Sequence, residues 1–356
     1  MFLSAPLPLR LLLAMLVAAL WAYALTPSAA SLAERLGAID RPGEERRIHT
    51  HPVPRLGGVA ILFGFSLSLL CFSRGGEAMN GVLRAALLVA LMGALDDCLG
   101  LRAPLKLAAQ LLAALIAWRA GARIEVLSDP FAGAGRFVPV GALSLPLTLL
   151  WLTACSNAMN LIDGLDGLAA GVAAIASCSM LLVADLVSED EVALLLAALA
   201  GACLGFLPYN RNPARIFMGD VGSQTLGFLL GAASLLGMFK AQALLGFLAP
   251  PLALGLPLFD TAFAFARRAL HGENPLRADR SHIHHRLLDL GLGQRKAVAL
   301  LCAVSALLGL LSVAVAARGA LARALAGALI ALSLTAAFAL IRLRVLVRAA
   351  KARRAE

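Results

Sequence analysis

Between two hydrophobic stretches the chain reads Asn157-Ala-Met-Asn160-Leu-Ile-Asp163-Gly-Leu-Asp166-Gly167, two amides and two carboxylates repeating every third residue. An ionised side chain in hydrocarbon costs roughly 2.5 to 3.5 kcal/mol even on lenient scales, so acids kept beside apolar runs point to function. Three further clusters share this character: Asp96-Asp97 with Lys106, Phe217-Met-Gly-Asp220-Val-Gly-Ser223, and His282-Ile-His284-His285 beside Arg277, Arg280 and Arg286. Adjacent carboxylates supply hard oxygen ligands for Mg2+ or Mn2+. Glycines around an acid and a hydroxyl free backbone amides, which cradle anionic oxygens at a helix start. Arginine and histidine hold phosphate, arginine in bidentate fashion.

Each cluster also has a structural reading. Asp96-Asp97 fits a solvated helix end with Lys106 as ion-pair partner, and Asp163 and Asp166 fit caps of a helical hairpin. A lone Gly-Asp-x-Gly-Ser fits a helix cap, while the histidine run fits either a transition-metal site or a solvated basic loop. Asp260 fits a partner for Arg267-Arg268 as well as a site residue. The residues by themselves leave these alternatives open.

The spacing of three carries its own information. Side chains three apart drift about 60° per step on an ideal helix, so positions 157, 160, 163 and 166 cannot share a face. Gly164 and Gly167 predict a turn, with Asn157 and Asn160 closing one helix and Asp163 and Asp166 opening the next.

The elements that must position these clusters are membrane helices. The 356-residue chain is 60% hydrophobic and 15% charged, with a mean hydropathy of +0.85, which a water-soluble core and shell does not produce. The expected fold is all-α, a polytopic integral membrane protein with about eleven transmembrane helices. Their approximate extents are 3–24, 57–73, 79–95, 104–120, 141–158, 165–184, 191–208, 223–239, 241–265, 297–316 and 320–341. The long apolar region from Thr225 to Phe265 is divided near Met238 to Gln242 because Lys240 sits in it. With the N-terminus outside, most of the 31 lysines and arginines fall in cytoplasmic loops and a basic cytoplasmic tail at 342–356. The net charge of +10 then reflects topology and lipid headgroups, and no nucleic-acid partner is expected. Arg10, the apolar Leu11 to Leu20 and Ala22-Tyr23-Ala24 also resemble a cleaved signal peptide. The six cysteines are scattered without a C-x-x-C pair and read as small apolar fillers. Residues 1–356 form one domain in this reading, and a homodimer is left open.

In this topology the four clusters, together with the loop from Asp40 to Gly58, all face the cytoplasm. One active site at a membrane face requires such sorting. Acids for a divalent cation, bases for phosphate and a position at the lipid boundary suggest phosphoryl chemistry on a lipid. Two phosphate-bearing substrates must then approach. At about 4 Å and an effective dielectric near 20, each pair of like unit charges repels by roughly 4 kcal/mol, which a metal with Arg, Lys and His offsets.

Taken together, Asp96-Asp97 with Lys106 and Gln110, Asn157-x-x-Asn160-x-x-Asp163-Gly-Leu-Asp166-Gly, Phe217 to Ser223, and Asp279-Arg-Ser-His-Ile-His-His-Arg286 resemble the polyprenyl-phosphate N-acetylhexosamine-1-phosphate transferases. The first loop, Arg47-Ile-His49-Thr-His-Pro-Val-Pro-Arg55-Leu-Gly-Gly58, is similar as well, so the motifs run in family order from about residue 40 to 296. The resemblance implies transfer of a sugar 1-phosphate from a UDP-N-acetylhexosamine to undecaprenyl phosphate in the bacterial inner membrane, with release of UMP and use of Mg2+ or Mn2+. The His-Ile-His-His version resembles the branch that uses UDP-N-acetylglucosamine for O-antigen, enterobacterial common antigen or teichoic acid linkage. UDP-N-acetylmuramoyl-pentapeptide, whose branch carries a His-His-His-Phe loop, and other UDP-N-acetylhexosamines are the alternatives.

By the same resemblance Asp220 is a metal ligand, with Asp96 or Asp97 near the metal and the acceptor phosphate. Asn160, Asp163 and Asp166 bind donor or organise the site. Lys106, Asn157, His49, Arg55, Arg280, His282, His284 and His285 bind substrate, the histidines taking the donor's diphosphate or uridine. A phosphate monoester has a second pKa of about 6, so the attacking lipid phosphate needs no general base at neutral pH. Direct single displacement is therefore favoured over a covalent intermediate on an aspartate. A transporter is the reading from another class, but transporters hold substrate near the bilayer midplane between repeats, and no repeat is visible here.

Overall fold

The computed structural model describes residues 5–41, 51–128, 137–237, 244–270 and 282–317. The expected span at 320–341, the basic tail, Lys240, and the site candidates His49 and Arg280 lie outside them.

Helices α1 (Leu7–Leu36), α2 (Gly57–Phe72) and α7 (Asp190–Asn210) pack on one another. Every fourth residue of α1 over one stretch, Ala14, Ala18 and Ala22, is fully buried. On α7 a Cβ at Gly201 or Gly205 would collide with the carbonyls of Met15 and Ala19, so small residues on both helices allow backbone approach. The expected first span, 3–24, is too short. Ala29 and Ala33 also pack inward, and α1 runs on through Pro27 until Gly37, at φ 74°, ends it.

Helices α3 (Glu77–Leu99) and α5 (Ser144–Ile162) pack against α8 (Gly219–Leu236), with α4 (Ala103–Arg119) between α3 and α5. Every residue of α8 from Val221 to Leu236 is buried, which makes it the central helix of this half. Helix α2 also packs on α8, which joins the two halves, and helix α6 (Leu168–Leu186) packs on α7 and on α12 (Gln294–Ala316). The single span expected at 241–265 is instead two helices, α9 (Leu244–Ala253) and α10 (Gly255–Leu270). Pro257 has no N–H for the Ala253 carbonyl, and Pro250-Pro251 remove two more donors, so the helix breaks at Leu254. A short helix, α11 (Ile283–Asp289), precedes α12.

The described residues are mostly helical, as expected, and two antiparallel pairs of short strands accompany the helices. Strand β1 (Ile39–Asp40) pairs with β2 (Val53–Pro54), and β3 (Val126–Ser128) with β4 (Phe137–Pro139). Their backbones satisfy each other where loops leave the helical bundle. Six helices among the described residues are long and apolar enough to cross a membrane: α1, α3, α5, α6, α7 and α12.

The two ends of the bundle differ in chemistry. At one, buried Arg10 donates to the Phe72 carbonyl (2.7 Å) and pairs with Glu191 (3.5 Å), tying the starts of α1 and α7 to the end of α2. The described members of all five polar clusters gather at the other.

Candidate active site

The start of α8 is where the segments meet. Phe217 donates its N–H to the Pro54 carbonyl (2.8 Å), and Gly57 and Gly58 donate theirs to the carbonyls of Phe217 and Met218 (2.9 and 2.8 Å). Gly219 at φ 71° then turns the chain into α8. A Cβ on Gly58 would lie 2.2 Å from the Gly222 nitrogen, and one on Gly93 would lie 2.6 Å from that of Val221. Only glycine lets α2 and α3 press this closely on the first turn of α8.

Asp97 completes that junction. Its Oδ1 accepts the N–H of Asp220 (3.0 Å) and its Oδ2 that of Val221 (3.1 Å), so a carboxylate from α3 caps α8 across the bundle. It is 3% exposed. Helix α3 runs four residues beyond its expected end to Leu99, which places Asp96 and Asp97 in its last turn, not in a loop; Gly100 at φ 66° ends it. Arg55 donates from both Nε (3.2 Å) and Nη2 (2.9 Å) to the Asp97 backbone carbonyl.

Lys106, in the first turns of α4, bridges two acids. Its Nζ lies 2.9 Å from Asp96 Oδ2 and 3.1 Å from Asp220 Oδ2. Asp96 Oδ1 accepts the Leu101 N–H (2.7 Å), which fixes the turn between α3 and α4. Gln224, one turn beyond Asp220, donates to the same Asp220 Oδ2 (2.6 Å). Ser223 donates its hydroxyl to Asn160 Oδ1 (2.7 Å), joining α8 to α5.

The segment from Asn157 to Gly167 divides as its spacing predicts, with one shift. Asn157 and Asn160 lie on α5, but α6 begins only at Leu168, so Asp163 and Asp166 both occupy the turn and neither opens the next helix. Gly167 takes φ 80° and donates its N–H to Asn210 Oδ1 (3.1 Å). Gly164 serves a different need, since a Cβ there would sit 2.3 Å from His284 Nε2. Asp166 Oδ2 accepts from Asn212 Nδ2 (2.8 Å) and the Ala214 N–H (3.1 Å), and Asn212 Nδ2 also reaches Gln294 Oε1 on α12 (2.8 Å).

Asp163 differs from its neighbours. Among the described residues no donor meets its carboxylate, and loss of hydration, reinforced by the charges of Asp220, Asp97 and Asp166, pushes its pKa up to about 8. It is an acid short of positive charge.

The histidines form a separate layer. Asp260 on α10 accepts the Ile283 N–H (2.9 Å) and lies 2.9 Å from His282 Nδ1, so it supports this segment. His284, 2% exposed, stacks with His282 at 5.9 Å and tilts against His285 at 4.3 Å. Burial, and after it the neighbouring His285, pull its pKa down to about 4, which leaves a neutral ring at pH 7.

A cavity of roughly 450 Å³ lies at this end, with Arg55, Asp97, Asn160, Asp163, Asp166 and Asp220 on its wall. The other described candidates are arranged around it. Asp96 and Lys106 stand behind Asp220, Asn157 lies against the buried amide of Gln110, and His284 lies against the wall at Gly164. Four further wall or network residues were not anticipated: Gln224, Asn210, Asn212 and Gln294. Of these only Gln224 carried a readable signal, its position four residues after Asp220 on a helix.

The donor set fits Mg2+ or Mn2+. Among the described residues no three His, Cys, Asp or Glu side chains form a metal-binding group. Mg2+ does not require one, because it takes one or two carboxylates and completes its shell with water and substrate phosphate. Asp220 and Asp163 offer hard oxygens on one cavity, and the raised pKa of Asp163 marks where positive charge is missing.

Fold and site together define a multi-pass membrane protein with an acid-lined cavity at one end of its helical bundle. Residues 79–238 match glycosyl transferase family 4. The chain is 39% identical over 293 residues, 82% of this chain and 80% of the relative, to a protein of Bacillus subtilis named probable undecaprenyl-phosphate N-acetylglucosaminyl 1-phosphate transferase. It is 38% identical over 327 residues (84% and 80%) to the decaprenyl-phosphate N-acetylglucosaminephosphotransferase of Mycolicibacterium smegmatis. A phospho-N-acetylmuramoyl-pentapeptide-transferase of Desulforudis audaxviator is 38% identical over 221 residues, covering 54% of this chain and 65% of the relative. The chain belongs to glycosyl transferase family 4.

Proposed function

We propose that this protein transfers N-acetylglucosamine 1-phosphate from UDP-N-acetylglucosamine to undecaprenyl phosphate, releasing UMP. The observation that carries the reading is the convergence of Asp97, Asp163, Asp166 and Asp220 with Arg55 on one cavity at the end of a membrane bundle, with Lys106 behind it. The names of the relatives that match along most of their length support the same donor and acceptor. The proposed setting is the bacterial inner membrane, with eleven spans, the N-terminus outside and the cavity cytoplasmic. The distribution of lysine and arginine supports that orientation.

Asp220 and Asp163 would hold Mg2+ or Mn2+, which when bound neutralises the donor diphosphate and the departing UMP. Arg55, fixed by the Asp97 carbonyl, offers a guanidinium to phosphate at the wall. An oxygen of the lipid phosphate attacks the phosphorus that bears the sugar, the diphosphate bridge to UMP breaks, and the new bridge forms to the lipid. No proton need be removed from a nucleophile already largely dianionic. Asp97, with an amide on each oxygen, suits positioning better than proton abstraction. The histidine segment, across Gly164 from the cavity, is assigned to the uridine end of the donor.

The test is UMP release by purified protein in detergent with undecaprenyl phosphate, Mg2+ and a panel of UDP-sugars that includes UDP-N-acetylmuramoyl-pentapeptide. Release is expected with UDP-N-acetylglucosamine. No release from any N-acetylhexosamine donor would overturn the reading, and preference for the pentapeptide donor would move it to the other branch.

A further inference from the structure

Three amides, half-buried Asn157 and buried Gln110 and Gln224, run from α5 to Asp220, and their direction is determined. The Thr153 carbonyl can only accept, so the Asn157 amide must turn its NH2 group toward it (2.8 Å). The second hydrogen of that NH2 goes to Gln110 Oε1 (2.7 Å), which leaves the Gln110 NH2 to face Gln224 Oε1 (2.9 Å). The Gln224 NH2 must then face Asp220 Oδ2, at 2.6 Å. Gln110 and Gln224 are each 3% exposed, so water cannot substitute for either partner. Reversing any one amide would set two donors or two acceptors against each other along the whole line.

We infer that Gln224 is a positioning residue for Asp220, held in its working orientation by Gln110 and Asn157. This rests on the reading of Asp220 as a metal ligand. Lys106 alone would hold Asp220 Oδ2 through a flexible four-carbon stem that it shares with Asp96. The Gln224 amide comes from the same helix as Asp220 and is planar, so it fixes rotation of the carboxylate as well as its charge partner. Asn157, absent from the cavity wall, is on this account the anchor of the relay and not a substrate contact. A metal ligand held by such partners binds more tightly because its orientation is fixed before the metal arrives.

The test uses full-length protein in detergent. Mn2+ binding is read directly by electron paramagnetic resonance, and the Mg2+ concentration for half-maximal UMP release is read alongside. Gln224→Met removes the donor without adding charge or much volume. It is expected to raise the Mn2+ dissociation constant and the Mg2+ requirement at least tenfold, with part of the UMP release regained at high Mg2+. Should that variant fail to fold, Gln110→Met/Gln224→Met removes the orphaned Gln110 donor as well, and the same metal defect is expected in it. Asp220→Asn, measured in parallel, separates the two readings. Unchanged Mn2+ binding there sinks the metal assignment and the relay with it, whereas lost binding there with binding within twofold of wild type in the glutamine variants sinks the relay alone.

Discussion

Asp97 caps the helix that presents Asp220, accepting the Asp220 N–H at 3.0 Å on one oxygen and the Val221 N–H at 3.1 Å on the other. The adjacent acids of the Asp-Asp pair therefore do different work. Asp96 shares Lys106 with the Asp220 side chain, while Asp97 holds the Asp220 backbone.

Asp97→Ala leaves the buried Val221 amide and the half-buried Asp220 amide without acceptors, and losing the buried one costs about 1 to 3 kcal/mol. Thermal melting in detergent and UMP release should fall together in this variant. Asp97→Asn keeps one acceptor and should fall between. A variant that melts like wild type while losing turnover would return Asp97 to a direct chemical role.

Asp163 should behave in the opposite way. Its pKa of about 8 lies above the value of about 3.9 for a free aspartate, so between those limits the folded protein holds a proton that the unfolded chain has lost. Stability of the metal-free protein should consequently decline as pH rises through that window. Asp163→Asn should flatten the decline while reducing UMP release about 10²-fold or more, the scale expected when a group that stabilises transferring charge is removed. Melting curves with EDTA from pH 5.5 to 8 would decide it, since an equal slope in both proteins contradicts the assignment.

The gathering of the polar clusters at one end was legible in the sequence because hydropathy fixes the alternation of spans. What joins them was not. Asp97 caps a helix that starts 122 residues later in the chain, at Gly219, and no local pattern announces a cap supplied from another helix. The end of α3 was misread for a related reason. The apolar run stops at residue 95, so the span was ended there, whereas the helix keeps both acids in its last turn because Lys106 pairs with Asp96 and the α8 amides donate to Asp97. The break at Leu254 was written in Pro250, Pro251 and Pro257, and hydropathy alone smoothed over it. Gln224 could be placed one turn after Asp220, but the partners that orient it, Gln110 on α4 and Asn157 on α5, come from other helices and no local pattern shows them.

Gly164→Ala tests the contact between the cavity wall and the histidine layer. The new methyl would meet the His284 ring at 2.3 Å, and that ring is confined by His282 and His285. Overpacking of this kind costs typically about 1 to 3 kcal/mol. The double variant Gly164→Ala/His284→Ala should recover part of the lost stability, giving a coupling energy in a thermodynamic cycle. Additive losses would show that the two residues do not press on each other.

Asp166 latches the loop between α7 and α8. Its Oδ2 holds Asn212 and the Ala214 amide, and Asn212 in turn reaches Gln294 at the start of α12. Since that loop leads directly into Gly219 and Asp220, slack in it moves the proposed metal ligand without touching it. Asp166→Ala should therefore speed tryptic cleavage after Arg211 or Arg215 and lower UMP release in the same preparation. Asp166→Asn keeps an acceptor for the Ala214 amide, so it should protect the loop better than alanine does, while remaining less active than wild type because the charge-assisted part of the contact is gone. Cleavage rates equal to wild type in Asp166→Ala, with turnover abolished, would assign Asp166 to the substrates and remove the latch.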